Sequence, residues 1–264
     1  LTSTYLNKFN TDLNYMHNAL VIGASGGIGI AMTQLLLEKD IHVIASVRKH
    51  QISKFEPLNK LKADYKSQFT IVSMDISAQE SVEKAFTSIS EQTNKLHFII
   101  NCTGLLHDSK GLQPEKRLED INADHLAQSF AINSIGPLLI ARYALPLLRH
   151  EERSVLSNTS ARVGSISDNR AGGWYAYRAA KAAQNMITKN IAIELKRRSP
   201  NTICVGLHPG TVDTDLSKPF QRNLKPGQLI TTEQSASYLY KVISKLDNKD
   251  SGKVFAWDGS EVFP

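Results

Sequence analysis

Short apolar runs alternate along the chain with longer segments in which apolar residues recur about every 3.6 positions. The short runs indicate buried β-strands, and the longer periodic segments indicate amphipathic helices. Strands are predicted at 19–22, 41–47, 69–74, 96–101, 154–158, 202–207 and 253–257. Helices are predicted at 28–38, 78–92, 120–149, 174–198 and 232–246.

This regular alternation predicts an α/β fold, because strands joined by helical crossovers pair in parallel and are covered by helices on both faces. We expect one Rossmann-type domain over residues 18–264, with a doubly wound, mostly parallel sheet of seven strands. The polar residues 1–17 are expected to form an N-terminal extension. Such a sheet binds ligands at the carboxyl ends of its strands, so chemistry should follow the strands directly.

A glycine cluster at 23–29 follows the first predicted strand and begins the first predicted helix. Its backbone N–H groups and the positive helix end suit a pyrophosphate, so it predicts a dinucleotide site. The residues expected to bind the cofactor there are Gly23, Ser25, Gly26, Gly27, Ile28 and Gly29. Two alternatives stay open: a purely structural turn, and a Gly-x-Ser-x-Gly hydrolase elbow with Ser25 as nucleophile. The early position of the turn disfavours the hydrolase.

The end of the second predicted strand bears on the choice of cofactor. Sites for NAD(H) generally have an acidic residue there, but residues 45–49 contain none. Arg48 could instead pair with a 2′-phosphate through two N–H groups, unless it is an ordinary surface arginine. The sequence therefore predicts NADP(H), with NAD(H) less favoured.

Asp75 and Ile76 follow the third predicted strand, where the carboxylate could accept a hydrogen bond from the adenine amino group. Asp75 could also start the next helix. Ser77 and Glu80 have the spacing of a capping box, which makes Ser77 the better cap. Asp75 is then expected to remain available to a ligand.

Tyr177 and Lys181 are separated by one helical turn, so the phenol and the ammonium are predicted on one helix face. A nearby cation stabilises a phenolate and lowers the pKa of a tyrosine, which suits it to proton transfer. By itself this spacing is common, and it also fits two exposed surface residues.

These features occur in a specific order along the chain. Asn101-x-x-Gly104, Asn133, Ser160 and Tyr177-x-x-x-Lys181 follow the glycine turn, and Pro209-Gly210 comes last. Residues 19–258 therefore resemble the classical short-chain dehydrogenases/reductases. Residues 158–166 and 172–178 resemble the branch of C-factor-like proteins and sniffer-type carbonyl reductases.

The resemblance implies a role for each residue of the motif. Tyr177 would give a proton to a substrate carbonyl oxygen, and Ser160 would hold that oxygen. Lys181 would lower the pKa of Tyr177 and bind the nicotinamide ribose. Asn133, on a helix interrupted near Gly136-Pro137, would hold a water. Further cofactor contacts are implied for Asn101, Gly104, Pro209, Gly210, Val212 and Thr214. Alternatively, Ser160 satisfies backbone groups, Asn133 caps a helix and the threonine forms a turn.

The chain departs from the family pattern at two places. The fourth predicted strand is followed by Asn101-Cys102-Thr103-Gly104, where the family usually has Asn-Asn-Ala-Gly. Seventeen positions separate Ser160 from Tyr177, where about thirteen are common, and this adds a loop at 167–173. Packing around the adenosine ribose and the shape of the substrate mouth are expected to differ accordingly.

The leading functional hypothesis is an NADP(H)-dependent oxidoreductase that interconverts a carbonyl and an alcohol, with Tyr177 as general acid/base. The alternative is an NADP(H)-binding regulatory or signalling protein with little turnover. His107, Trp174 and Phe220 are candidate substrate contacts, and the segment 217–227 is predicted to be a mobile flap. A homodimer or homotetramer is expected, associating through the helices near 120–149 and 174–198.

Composition excludes several other classes. The net charge of +6 is spread along the chain, which disfavours nucleic-acid binding. Cys102 and Cys204 are far apart in apolar segments, and none of the eight histidines has metal-ligand spacing, so no metal site is predicted. The chain shows no apolar signal core and no run of about 18 uncharged apolar residues, so neither a membrane span nor secretion is expected. We therefore expect a cytoplasmic protein.

Overall fold

The computed structural model describes residues 17–48 and 55–263, so nearly all of the predicted extension lies outside the described residues. The strands are β1 (Asn18–Ile22), β2 (His42–Val47), β3 (Phe69–Ser73), β4 (Phe98–Asn101), β5 (Ser154–Thr159), β6 (Thr202–His208), β7 (Thr211–Val212), β8 (Leu229–Ile230) and β9 (Val254–Ala256). The helices are α1 (Gly27–Leu37), α2 (Glu56–Tyr65), α3 (Gln79–Ser90), α4 (Ala123–Phe130), α5 (Gly136–Leu148), α6 (Tyr175–Arg198) and α7 (Thr232–Lys245).

Seven strands form one sheet in the order β3-β2-β1-β4-β5-β6-β9, and every neighbouring pair is parallel. The chain begins in the middle of the sheet, runs to one edge, and returns across β1 to build the other half. The strand order thus reverses between β1 and β4, where Ile22 lies opposite Asn101. A ligand crevice is expected at that point.

Alternate residues of the strands build two apolar cores, one on each face of the sheet. Val21 of β1 faces the core covered by α1, α2 and α7, while Leu20 faces the core covered by α3, α5 and α6. Because strands buried on both faces need apolar side chains on both, β1 reads as a continuous apolar run. The predicted α/β Rossmann fold with helices on both faces is confirmed.

The predicted helix at 120–149 is interrupted. A π-helical turn at Ala131–Ile135 separates α4 from α5. Buried Ser129, before the turn, and buried Ser134, within it, donate to carbonyls of α6, those of Ala176 and Ala180. The two serines are five positions apart in the sequence, whereas their two acceptors are four apart. The π-helical turn takes up the additional residue, so both serines can bond to α6 at the same time.

The interrupted helix is also the one segment at odds with the expected absence of a long apolar stretch. Within the described residues, Ala123–Leu148 is long and apolar enough to cross a membrane by length and composition. Its α5 part packs on α3 and α6, and 44% of the apolar window is buried inside the fold. One helix of this kind is weak evidence for a membrane span, because core helices of folded domains have the same length and composition.

One helix and two short strands of the described residues were missed in the sequence. Helix α2 buries only Leu58 and Leu61, so its apolar periodicity is too weak to predict a helix. Strands β7 and β8 have two residues each and pair in a separate parallel ladder. Strands this short leave no periodic pattern in a sequence.

Candidate active site

A cavity of about 640 Å³ lies where the strand order reverses. Its wall is formed by residues that follow the ends of β1, β2, β3 and β4, together with the end of α4 and the π-helical turn. Predicted cofactor residues on this wall are Gly23, Ser25, Gly26, Arg48, Asp75, Ile76 and Gly104. The structure thus brings together predicted residues as far apart in the sequence as Gly23 and Gly104.

The glycine turn has the backbone geometry that a pyrophosphate site needs. Gly23 has a φ of +79°, and a Cβ on Gly29 would lie 2.2 Å from the carbonyl oxygen of Gly23. Gly26 is the N-cap of α1 and provides no side-chain hydrogen bond, so the first-turn N–H groups face outward uncapped. Gly27 packs below Thr214, whose methyl group would be 2.8 Å from a Cβ there. The residues present therefore fit a dinucleotide phosphate at the amino-terminal end of α1.

Arg48 and Asp75 lie on the cavity wall, both exposed. Asp75 Oδ1 accepts hydrogen bonds from the Ser77 N–H at 3.0 Å and the Ser77 hydroxyl at 2.6 Å. The prediction that Ser77 caps α3 is therefore wrong. The N-cap is Ala78, which makes no side-chain hydrogen bond to the helix. The short-range bonds to the carboxylate hold the serine hydroxyl away from the helix end.

Asn101 is fully buried beneath the cavity rather than on its wall. Its Oδ1 accepts from the backbone and hydroxyl of Thr103 at 3.1 and 2.6 Å, and its Nδ2 donates to Asn158 Oδ1 at 3.0 Å. Asn101 thereby shapes the turn whose residues Cys102 and Gly104 line the cavity. Burial raises the pKa of the Cys102 thiol to about 12, so this cysteine stays a neutral thiol.

Tyr177 and Lys181 lie on one face of α6, and the Lys181 Nζ is 5.7 Å from the centre of the Tyr177 ring. Lys181 is 1% exposed, and its Nζ donates to the Thr159 carbonyl at 2.7 Å and to Gln184 Oε1 at 3.2 Å. Burial lowers the pKa of Lys181 to about 7 and raises the pKa of Tyr177. In the protein alone, burial therefore outweighs any lowering of the Tyr177 pKa by Lys181, because desolvation penalises both charged forms.

Ser160 follows β5 and is held by α6. Its hydroxyl donates to Asn185 Oδ1 at 2.7 Å, and Asn185 Nδ2 donates to the Gly164 carbonyl at 3.4 Å. Gly164 itself lies against the backbone of Lys181, where a Cβ would be 2.9 Å away. Asn185 was missed in the sequence, although it lies one turn beyond Lys181 on the face that carries Tyr177.

Asn133 lies within the π-helical turn and connects that turn to the loop after β4. Its Oδ1 accepts from the Leu105 N–H at 3.0 Å, and its Nδ2 donates to the Leu105 carbonyl at 2.8 Å and to Ser129 at 3.1 Å. Gly136 follows at the start of α5, where a Cβ would meet Ile76 at 2.8 Å. The predicted interruption near Gly136 is confirmed, and Asn133 fixes the cavity wall from behind.

The segment after β6 approaches the glycine turn. Gly210 has a φ of +84°, and the Pro209 carbonyl accepts from Ser235 at 3.0 Å. Further on, Lys218–Asn223 forms a 3-10 helix, and Gln221 Nε2 donates to Asp213 Oδ1 at 2.9 Å. The predicted flap at 217–227 thus contains a helix with bonds to the preceding loop. Val212 lies in β7, and its carbonyl accepts from the Ser217 hydroxyl.

A buried carboxylate at the start of α6 was missed by sequence reasoning. The Glu115 carbonyl accepts from the Trp174 N–H at 2.6 Å, and Glu115 Oε2 accepts from the Ala176 N–H at 3.2 Å. Trp174, the N-cap of α6, has no side-chain bond to the helix. Because Glu115 comes from a loop about sixty positions earlier, no local capping pattern could have identified it.

The three predicted substrate contacts lie together beside Tyr177. His107 is 5.9 Å from Phe220 between ring centres, Phe220 is 5.0 Å from Trp174, and Trp174 is 6.4 Å from Tyr177. The interplanar angles are 65°, 56° and 71°. We refer to His107, Phe220 and Trp174 as the ring cluster.

A histidine group lies at the opposite, amino-terminal end of the sheet. Candidate ligand atoms of His97, His150 and Glu152 lie within 4.8 Å of one another, although sequence spacing gave no sign of them. His97 Nδ1 accepts from the Asn18 N–H at 2.9 Å, and its Nε2 bonds Glu152 at 2.8 Å. Both ring nitrogens of His97 are thus already engaged, and an ion would displace one of these bonds.

A Rossmann fold with a glycine turn and a cavity at the strand reversal is the architecture of a dinucleotide-binding protein. The chain belongs to the short chain dehydrogenase family, whose model matches residues 17–225. It is 32% identical over 248 residues to 1-hydroxy-2-glutathionyl-2-methyl-3-butene dehydrogenase of Rhodococcus sp. (strain AD45), covering 93% of this chain and 98% of the relative. The C-signal protein of Myxococcus xanthus is 34% identical over 145 residues, 55% of this chain and 82% of that protein.

Solved structures share the fold. The NADPH-bound carbonyl reductase from chicken fatty liver matches with a TM-score of 0.81 and 27% identity over 94% of each chain. The carbonyl reductase Sniffer of D. melanogaster matches with a TM-score of 0.81 and 24% identity, covering 94% of this chain and 99% of that one. The predicted family and its C-factor-like and sniffer-type branch are confirmed.

Proposed function

We propose that the protein transfers a hydride between NADP(H) and a carbonyl or alcohol substrate, with Tyr177 as the general acid/base. The observation that carries this proposal is that Ser160 and the carbonyl bound by Lys181 lie at the end of β5, next to β4, whose following loop lines the cavity at the strand reversal. The Thr159 carbonyl that accepts from Lys181 immediately precedes Ser160, and the Lys181 Nζ lies 5.7 Å from the centre of the Tyr177 ring, so Lys181 links the other two residues. The NADPH bound by the chicken reductase supports this choice of cofactor.

Bound NADPH supplies the hydride, and the protein supplies the proton and the orientation. As the carbonyl carbon gains hydride, the Tyr177 Oη–H bond breaks and its proton passes to the carbonyl oxygen, giving an alcohol. Donors arranged in advance around a developing alkoxide lower the barrier. Lys181 uses two of its N–H donors on Thr159 and Gln184, and one is left for a ribose hydroxyl. Reverse transfer follows the same path.

Preference for NADP(H) over NAD(H) is carried by Arg48. It is the first residue after β2, it lines the cavity, and no carboxylate occupies that strand end. Arg48→Ala is expected to raise the KM for NADPH about tenfold or more while changing the KM for NADH little, because only NADPH has the 2′-phosphate. An equal effect on both cofactors would count against this role.

Tyr177→Phe tests the proposed chemistry. The variant keeps the ring and its contacts but has no proton to transfer, so reduction of aldehydes with NADPH should fall by at least about a hundredfold. NADPH binding, followed by fluorescence titration, should be unchanged. Turnover that survives in Tyr177→Phe would exclude Tyr177 as the proton donor.

A second candidate function is dinucleotide-dependent signalling with little turnover, favoured by the similarity to the C-signal protein. The same experiment separates the two. A wild-type protein that binds NADPH yet reduces none of a broad set of aldehydes and ketones supports the signalling function and contradicts catalysis.

We further propose that the chain self-associates as a dimer or tetramer through α5 and α6. The two helices pack side by side, and each exposes large apolar side chains on its outer face. Leu138 of α5 is 47% exposed, and Met186 and Ile193 of α6 are 62% and 53% exposed. A second copy would remove this apolar surface from water.

A further inference from the structure

We propose that the ring cluster is the substrate-recognition surface of this site and that it selects carbonyl compounds whose substituent is an aromatic ring. The inference rests on the proposed function, because it assigns the substrate class to the same Tyr177. It is carried by the position, orientation and exposure of three rings from three separate elements.

Position is the first argument. His107 comes from the loop after β4, Phe220 from the 3-10 helix Lys218–Asn223, and Trp174 from the residue before α6. Centre-to-centre distances of 5.9, 5.0 and 6.4 Å make them a continuous series that ends at the Tyr177 ring. The series leads from the exposed segment around Pro219 to the proton donor. A substituent attached to a carbonyl at Tyr177 therefore has these rings as its neighbours.

Orientation is the second argument. All three ring pairs are tilted or edge-on, at 56° to 71°, so no two of these rings are stacked face to face. The three side chains are half-buried and therefore keep accessible ring surface. Aromatic pairs favour edge-to-face and offset contacts at about 4.5–7 Å, so a further ring can join this series with the preferred geometry.

The cluster is also held in place by bonds that do not involve a ligand. His107 Nε2–H donates to the Leu216 carbonyl at 3.1 Å, which fixes the imidazole against the segment that carries Phe220. Trp174 has a left-handed backbone with a φ of +52°, which is rare for a bulky residue, and its N–H donates to the Glu115 carbonyl at 2.6 Å. A preorganised surface of this kind loses little side-chain freedom when a ligand binds.

The test compares two aldehydes of similar size that differ in aromaticity, benzaldehyde and cyclohexanecarbaldehyde, with NADPH and the full chain. Because the two aldehydes differ in intrinsic reactivity, the measured quantity is the ratio of their kcat/KM values and its change in each variant. Trp174→Leu and Phe220→Leu should each lower kcat/KM for benzaldehyde about five- to tenfold and for the cyclohexyl compound about twofold or less.

Two further variants serve as controls. Phe220→Tyr keeps a ring and should keep the wild-type ratio of kcat/KM values. Phe263→Leu changes an exposed phenylalanine outside the site and should leave kcat/KM for both aldehydes unchanged. Circular dichroism establishes that each variant is folded. If Trp174→Leu does not fold, the comparison of Phe220→Leu with Phe220→Tyr still tests whether the rings select aromatic substrates.

The outcomes separate the two proposals. Equal losses on both aldehydes in the leucine variants would show that the rings only support the loops, and the inference would be overturned while the proposed function stands. A wild-type enzyme that reduces cyclohexanecarbaldehyde but not benzaldehyde would likewise overturn the inference and leave the proposed function standing. If NADPH binds and neither aldehyde is reduced, the proposed function fails and the inference fails with it.

Discussion

At the scale of single residues, Asn185 determines the orientation of a hydroxyl at the site. Ser160 donates to Asn185, and Asn185 in turn donates to the Gly164 carbonyl, so the amide is oriented with its oxygen toward the serine. In this state the only hydrogen of the Ser160 hydroxyl is used on Asn185, so its oxygen is available as an acceptor. Holding a substrate carbonyl oxygen, the role that the family resemblance implies, would require the hydroxyl to turn away from Asn185. Asn185 thus acts through Ser160 and is a positioning residue.

Replacing Asn185 by leucine should free the Ser160 hydroxyl to rotate, because its acceptor is lost. We expect kcat to fall about tenfold with NADPH affinity unchanged, and Asn185→Gln, which keeps both an acceptor oxygen and an amide donor, to recover part of the loss. Steady-state kinetics and NADPH titration measure both. Asn94→Leu, at an exposed asparagine outside the site and outside the proposed interface, is the matched control. A matching loss in the glutamine variant would argue against a hydrogen-bond role.

Lys181 should make the stability of the cofactor-free protein depend on pH. Burial lowers its pKa from 10.5 to about 7, so between these values the unfolded chain binds more protons than the folded one. The free energy of unfolding then rises with pH across this range, by up to about 1.4 kcal/mol per pH unit from this group. Below about pH 7 both states are protonated and the contribution levels off.

Urea unfolding at pH 7, 8 and 9 measures this contribution. Lys181→Met removes the buried amine, so its free energy of unfolding should rise less steeply than that of the wild type. Lys189→Met, which removes an exposed lysine of the same helix, should keep the wild-type slope. Parallel curves for the wild type and Lys181→Met would contradict the lowered pKa.

At the scale of the elements, α6 depends on a residue from a distant loop. Its N-cap Trp174 gives no side-chain bond, and Glu115 accepts from the first-turn N–H of Ala176 instead. Glu115→Ala should lower the free energy of unfolding by about 1–2 kcal/mol, because that N–H loses its buried partner. Glu115→Gln keeps an acceptor and should lose less. Chemical denaturation measures these free energies of unfolding. Glu119→Ala, which removes a nearby exposed carboxylate, should change the free energy of unfolding little.

Elements with strong periodicity and a local start signal were predictable, and those determined by distant contacts were not. The strands β1 to β6 follow from apolar runs, and the glycine turn follows from its spacing. In contrast, the uncapped start of α3 depends on the bonds between Asp75 and Ser77. Glu115 accepts from the N–H of Ala176, and Asn185 accepts from the hydroxyl of Ser160. Both partners lie far away along the chain. Local pattern therefore located the site, while tertiary contacts determined its hydrogen bonds.

At the scale of the whole molecule, exposed apolar residues on α5 and α6 lead to a prediction about assembly. Met186→Glu combined with Ile193→Glu places charges on the proposed interface, where desolvation without a partner is unfavourable. The double variant should elute as a monomer by light scattering, whereas the wild type should have at least twice that mass. Ile166→Glu, at an exposed residue away from these helices, is the control. A wild type that is monomeric at all concentrations would contradict the proposal.

The π-helical turn between α4 and α5 has a consequence for how the sequence tolerates length changes. A π turn accommodates one residue more than the α-helical path, and here it lets Ser129 and Ser134 reach Ala176 and Ala180 together. Deleting Ala131 would return the segment to the ordinary α-helical path and leave the two serines four positions apart, like their acceptors, so α5 would keep its rotational phase. The apolar face that carries Ile140 would then still face the sheet, whereas a deletion within α5, which has no surplus residue, would rotate the residues after it by about 100°.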